Sequence, residues 1–287
     1  MSNLLNRLRR IINYSTSGLG NRLRPLASCY SLAKKSDRKL AAFWDVKTLN
    51  GCQAPFHSLF KNDLEILSED DLKSLEDVVV FSENGPGHCA EREHKKFGRD
   101  VLLKIGKEHG LRSIHDISPD HSQSNIVFYG NNFANNSSPE DSASFIKSLV
   151  PCDDILSNIN SVRDELGLSK EVAGIHARGT DFGSNLTSYI NAIHSFISKN
   201  PSCKLFLSTE DRELEDQLHN QFGDKILIHR KKFYPEKIDK SKPWPDNFNI
   251  SEDHAKEAVV DLYLLASTSI MIYDPRSTFC EIARILQ

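Results

Sequence analysis

Apolar positions recur along this chain with two spacings, and the alternation between them predicts its elements. Arg10–Ser15 (RIINYS) is a short apolar run that reads as a strand, broken by Gly18-Leu19-Gly20. Leu23, Leu26, Ala27, Tyr30 and Ala33 then fall three or four apart, the period of a helix with one buried face. Leu40–Trp44 (LAAFW) reads as a buried strand ending at Asp45. Strand, glycine turn, helix and strand in that order predict a parallel βαβ unit. Val78–Phe81 and Asn125–Tyr129 (NIVFY) predict further strands of the same lobe. The chain becomes polar over Asn131–Ser144, and a lobe boundary is expected in about residues 150–165.

The second half repeats the pattern. Val172–Ile175 predicts a strand, and Leu186, Tyr189, Ile190, Ile193, Phe196 and Ile197 share one helical face. Lys204–Leu207 is a strand, Leu214, Leu218 and Phe222 mark a helix, and Ile226–Ile228 is the next strand. After a long polar stretch, a helix over Glu252–Ala266, a strand over Ile270–Tyr273 and a closing helix over Thr278–Leu286 are expected. Four βα repeats predict a Rossmann-like lobe. The expectation is therefore an α/β chain of two Rossmann-like lobes, 1–155 and 156–287, facing a central cleft.

Composition narrows the class. Of 287 residues, 39% are hydrophobic and 26% charged, a globular balance that excludes disorder. The net charge of −3 gives no reason to expect nucleic-acid binding. The most apolar stretch, Ala258–Tyr273, is short for a membrane span and contains Asp261. Met1–Asn13 carries arginines but no continuous apolar core and no small-residue cleavage site, so it does not read as a signal peptide. The six cysteines are scattered singly without a CxxC pair, which suits reduced thiols in a cytoplasmic protein.

Four segments carry candidate chemistry, all at strand ends, where open α/β sheets bind ligands. Gly18-Leu19-Gly20-Asn21-Arg22-Leu23 opens a helix and offers backbone N–H groups to an anion. It lacks the Gly-Lys-Ser/Thr of a Walker A loop and, with Leu23 at the third position, the full GxGxxG. Alone it reads as a tight strand-to-helix turn. His176-Ala177-Arg178-Gly179-Thr180-Asp181 follows a strand; Arg178 is a planar fork for phosphate oxygens, and the plainer alternative is a polar loop with a local Arg–Asp pair. Ser208-Thr209-Glu210-Asp211 follows another strand, with Ser208 placed to cap the next helix in a capping box with Asp211. Arg276-Ser277-Thr278-Phe279 opens the last helix, an anion cradle or a plain N-cap at Ser277. With the lobes edge to edge, these segments would share a cleft, an arrangement that resembles a GT-B glycosyltransferase.

GLGNRL, HxRxxD, a strand–STED segment and a strand–STF–helix end, in this order, are similar to the fucosyltransferase-like superfamily. Its members include nodulation-type and core α1,6-fucosyltransferases, protein O-fucosyltransferases and bacterial α1,2-fucosyltransferases. Cys52-Gln53-Ala54-Pro55-Phe56-His57-Ser58-Leu59-Phe60 also resembles a stretch of the bacterial members. The resemblance implies an inverting, metal-independent glycosyltransferase, with GDP-fucose as donor and a glycan or lipid-linked glycan as acceptor. It implies that Arg178 neutralises the β-phosphate of GDP, that His176 contacts the nucleotide, and that Glu210 or Asp211 reads guanine. Ser277, Thr278 and Phe279 would hold the diphosphate; Gly18, Gly20, Asn21 and Arg22 would form the first-lobe loop that closes on the donor. The α1,6-type enzymes have two adjacent arginines, whereas Gly179 stands second here, a departure that favours a different branch. The chain also looks bacterial and cytoplasmic, at most peripheral to the inner face of the membrane.

An acceptor hydroxyl must lose its proton as it attacks, and Asp45 and Asp181 are the candidate bases. No DxD motif stands out; Asp70-Asp71 and Asp153-Asp154 read as solvated surface charges, and with Arg178 available the reaction needs no metal. Arg230–Lys242 holds six Lys/Arg and two acids, a lid, an acceptor platform or a solvated loop. Trp44 reads as core. The alternatives are a transferase using another GDP- or UDP-sugar, and a nucleotide-sugar-binding protein without catalysis. A Rossmann oxidoreductase is disfavoured by the missing third glycine.

Overall fold

The computed structural model describes residues 9–47, 52–83, 100–178, 186–231, 251–269 and 271–287. The chain divides into two units, Met1–Val150 and Pro151–Gln287.

The first unit is built on β1 (Arg10–Ser15), β2 (Lys39–Trp44), β3 (Glu65–Ile66), β4 (Val78–Ser82), β5 (Leu111–Ser113) and β6 (Asn125–Tyr129). These form one sheet in the order β3-β2-β1-β6-β4-β5, with every pair parallel. Its helices are α1 (Leu19–Lys35), α2 (Phe56–Leu59), α3 (Glu69–Lys73), α4 (Asp100–His109) and α5 (Pro139–Lys147). A parallel sheet is buried on both faces, so its strands are apolar on both. Ile12, Tyr14, Phe43, Val80 and Val127 pack with Leu72 of α3 and Leu102 and Ile105 of α4. On alternate positions, Ile11, Val79, Ile126 and Phe128 pack with Cys29 and Leu32 of α1. Each such side chain contributes roughly 1.5–3 kcal/mol on burial.

Arg22 departs from expectation. Placed by the family resemblance in a donor-facing loop, it is 0% exposed, in the first turn of α1. Its Nε donates to the Ser17 carbonyl, its Nη2 donates to the Asp45 carbonyl at 2.6 Å, and its guanidinium lies 4.8 Å over the Trp44 ring. The Cys52 N–H also donates to the Ser17 carbonyl, at 3.2 Å, and Trp44 Nε1 donates to the Ala54 carbonyl at 2.9 Å. One buried cation thus joins the ends of β1 and β2 and anchors the Cys52–Phe60 segment, whose Phe56 packs edge-on against Trp44. Burial lowers the guanidinium to about 10, with Cys52 and Asp45 opposing, so it stays charged at neutral pH.

The second unit holds α6 (Asp153–Leu166), β7 (Ala173–His176), α7 (Leu186–Lys199), β8 (Leu205–Ser208), α8 (Arg212–Phe222), β9 (Ile226–Ile228), α9 (Glu252–Ala266), β10 (Met271–Tyr273) and α10 (Thr278–Leu286). The sheet order is β10-β7-β8-β9, again with every pair parallel. Ile175, Leu205, Leu207 and Ile226 pack with Ile193 of α7 and Leu214 and Leu218 of α8. Helix α9 packs against α6 and α10. The stretch read as a lobe boundary is mostly helix: α6 buries Ile155, Ile159 and Val162 and ends at Gly167, whose φ of 60° a glycine adopts without strain. Among the described residues no helix is long and apolar enough to cross a membrane.

Replacing Arg22 by Met keeps the volume but leaves two buried carbonyls short of a donor. The expected loss is about 2–5 kcal/mol of unfolding free energy. A urea unfolding free energy that falls by less than about 1 kcal/mol would show that the carbonyls find other partners.

Candidate functional site

Because all four strands of the second unit are parallel, the segments that follow them leave the sheet at one edge. Register makes the neighbours specific: Tyr273 lies beside His176, and His176 beside Ser208. The predicted segments His176–Arg178, Ser208–Asp211 and Ser277–Phe279 therefore start from adjacent strands. Asp181 and Gly179 lie outside the described residues, as does all of the basic segment except Arg230 and Lys231.

His176 is held from two sides. Its ring stacks on Phe279, centroids 5.1 Å apart and planes 26° from parallel, and its Nδ1 lies 3.4 Å from Ser277 Oγ. Ser277 Oγ also accepts from the Cys280 N–H at 3.3 Å, capping α10 as expected. This lets the hydroxyl donate to Nδ1 and leaves Nε2 to carry the imidazole proton. Burial, and then the charge of Arg178, push His176 down to about 4, so the ring is neutral at neutral pH. The Arg178 backbone N–H donates to Tyr189 Oη at 3.2 Å, so α7 fixes the chain after β7. The charge of Arg178 bears on His176, Asp274 and Cys280. Thr278 and Phe279 occupy the first turn of α10, half-buried.

The third segment differs from its prediction. Ser208 does not cap α8; its hydroxyl donates to Asp261 Oδ2 at 2.6 Å. The cap is Asp211, whose Oδ1 accepts from the Glu213 and Leu214 N–H groups at 3.0 and 3.2 Å. Strand β8 runs through Ser208, so the helix starts too late for a hydroxyl there to reach its first turn. Glu210 is half-buried between them.

The residue that sequence reasoning missed is Asp261. Buried in α9, it accepts from Ser208, from Lys231 Nζ, and from His229 Nδ1 at 3.1 Å. Burial raises its carboxyl, but Lys231 and His229 outweigh that and hold it at about 2. Its signal was an acid inside the apolar face of Val259, Leu262 and Leu265, since a buried charge requires partners.

In the first unit, Gly18 is the extended residue before α1, at φ −65° and ψ 166°, with Gly20 buried and Asn21 half-buried in the first turn. A Cβ on Gly18 would meet nothing within 4 Å. Neither backbone angle nor packing demands glycine there. Asp45, at the end of β2, is 6% exposed, and its Oδ1 accepts from the Lys47 N–H at 2.8 Å. Among the described residues no group of three or more His, Cys, Asp or Glu could hold a metal ion.

No family model matches the chain, and no curated protein does. Solved structures do. The NodZ α1,6-fucosyltransferase soaked with GDP-fucose superposes with a TM-score of 0.64 at 20% identity, over 97% of this chain and 92% of that one. The chain has a fucosyltransferase fold. NodZ from Bradyrhizobium gives 0.63 over the same shares. POFUT1 in complex with GDP-fucose matches at 0.59 and 13% identity, over 99% and 95% of the two chains. A variant of Arabidopsis thaliana FUT1 in complex with GDP matches at 0.57 and 15%, over 97% and 68%.

Two outcomes check this geometry. In an NMR titration His176 should protonate only near pH 4, because the fold favours the neutral ring; a midpoint above 6 would contradict its enclosure. The same sign means that His176 favours the fold above pH 6.5 and loses that contribution as pH falls toward 4. Gly18→Ala should leave the melting temperature within about 2 °C, in keeping with a change of a few tenths of a kcal/mol.

Proposed function

We propose that this chain is an inverting glycosyltransferase that takes a GDP-sugar, GDP-fucose first among them, and transfers the sugar to a hydroxyl of a glycan acceptor. The observation that carries the reading is the assembly at one sheet edge of a neutral, Phe279-stacked His176, the Arg178 guanidinium and the Ser277-capped start of α10. It is supported by the fold shared with proteins solved with GDP-fucose.

The chemistry follows from charge. As the bond between the sugar C1 and the β-phosphate oxygen breaks, negative charge grows on the diphosphate. Arg178 and the first-turn N–H groups of α10 meet that charge in a fixed arrangement. His176, uncharged, serves as a hydrogen-bonding contact to the nucleotide and adds no cation of its own. Asp211 is committed to its helix, so Glu210 is the carboxylate assigned to the guanine N–H donors. Asp45 or Asp181 takes the acceptor proton. Arg22 holds the turn before α1 through the Ser17 carbonyl. Since Arg178 and a helix terminus offset the leaving charge, no divalent metal is required. The reading places the protein in the cytoplasm, acting on a surface glycan or its lipid-linked precursor.

Titration with GDP, UDP and ADP should give selective GDP binding without added metal. Arg178→Ala should lower GDP-fucose hydrolysis or transfer by about 10²–10³-fold while leaving the melting temperature nearly unchanged. Unaltered turnover in that variant overturns the mechanism. Activity should persist in excess EDTA; loss there, restored by Mn²⁺, overturns the metal-free reading.

A further inference from the structure

After β10 the chain makes a tight turn in which the Ser277 N–H donates to the Asp274 carbonyl at 2.9 Å. Inside it Asp274 grips Arg276 as a fork: Nε donates to Oδ1 at 3.0 Å and Nη2 to Oδ2 at 2.5 Å, while the Arg276 backbone N–H donates to Oδ1 at 2.9 Å. The Arg276 side chain is 61% exposed and that of Asp274 25%. Solvent-exposed pairs add little to stability, so two donors spent on this one call for a different account.

Two observations supply it. The first is place. Tyr273 lies beside His176 in register, so this turn leaves the sheet next to Ala177 and Arg178 and runs directly into the Ser277 cap of α10. The second is charge. Arg276 chiefly, through its hydrogen bonds, and the charge of Arg178 as well, hold the Asp274 carboxyl down at about 2. A guanidinium fork matches phosphate oxygens as well as it matches a carboxylate. We propose that Arg276 is a second diphosphate-binding cation of the donor site, held at its mouth by Asp274 until a nucleoside diphosphate takes the carboxylate's place. Arg178 and Arg276 then meet the diphosphate from two adjacent turns, and in the empty site Asp274 offsets the charge of Arg276. This rests on the donor site proposed above and deepens it.

Calorimetry with GDP and GMP on the wild-type chain, Arg276→Ala and Asp274→Asn tests it, because GMP lacks the β-phosphate. Arg276→Ala should weaken GDP by about tenfold or more, the scale of one charge-assisted contact, and GMP by no more than about threefold. Asp274→Asn keeps the shape of the turn and removes the competing charge, so GDP should bind several-fold tighter. Unchanged GDP affinity in Arg276→Ala, or equal losses for GDP and GMP, overturns the proposal. So does Asp274→Asn weakening GDP as much as Arg276→Ala, which would make the pair a structural clamp. A wild-type chain that takes UDP and refuses GDP overturns the guanine reading alone, and UDP against UMP then decides Arg276. A chain that binds no nucleoside diphosphate overturns both.

Discussion

Parallel pairing is the constraint from which the candidate site follows. When every strand of a sheet runs the same way, each must return by a crossover, and every strand-to-helix turn emerges at the same edge. In the second unit this brings His176, Ser208 and Tyr273 into lateral register, although they are up to 97 positions apart in the chain. No side-chain contact is needed to create that convergence; the backbone hydrogen bonds already require it. Side chains then refine it: the Phe279 stack and the Ser277 hydroxyl fix one imidazole, and Tyr189 fixes the backbone of Arg178.

The same rule in the first unit sets a harder problem, since the turns after β1 and β2 end in carbonyls that the sheet cannot satisfy. Arg22 answers it. A guanidinium can serve the Ser17 and Asp45 carbonyls at once and stack on Trp44, which a lysine ammonium could not. Desolvating a cation is costly, and here the cost is offset by two carbonyl acceptors, an aromatic face and the Asp45 carboxylate nearby. Two arginines at strand ends thus have opposite duties. Arg178 is half-buried at a sheet edge, whereas Arg22 is enclosed and shapes the backbone that carries Gly18.

Why some of this was legible in the sequence and some was not comes down to which signals are local. The long strands β1, β2, β4 and β6 show as continuous apolar runs because both their faces are buried, and the helices α1, α7, α8, α9 and α10 show their period because each buries one face along its own length. The two-residue β3 and three-residue β5 are too short to show any period. Helix α5 begins inside the polar stretch Asn131–Ser144, where Ser138 before Pro139 with Glu140 and Asp141 is a helix-start pattern but only Ser142, Phe145 and Ile146 of its residues are buried. Helix α6 had the period in Ile155, Ile159 and Val162, but the expected boundary was placed across it. Site residues divide the same way. His176, Arg178 and Ser277 follow from strand ends, whereas the burial of Arg22, the capping by Asp211 and the partners of Asp261 depend on where distant segments fold.

Asp261 makes the point sharpest, because its environment is assembled from three segments. Ser208 ends β8, His229 and Lys231 follow β9, and Asp261 itself comes from α9. A carboxylate held at about 2 and paired with a half-buried lysine adds almost no net charge, yet it orders the ends of two adjacent strands. That matters next to His176, whose neutrality depends on burial and on Arg178 outweighing the opposing pull of Asp261. An Asp261 stripped of Lys231 would favour an imidazolium, and an imidazolium beside Arg178 would place two like charges on one edge. The Lys231–Asp261 pair therefore lets the positive charge at this edge reside in arginine, whose charge does not vary with pH in the range where a histidine's would.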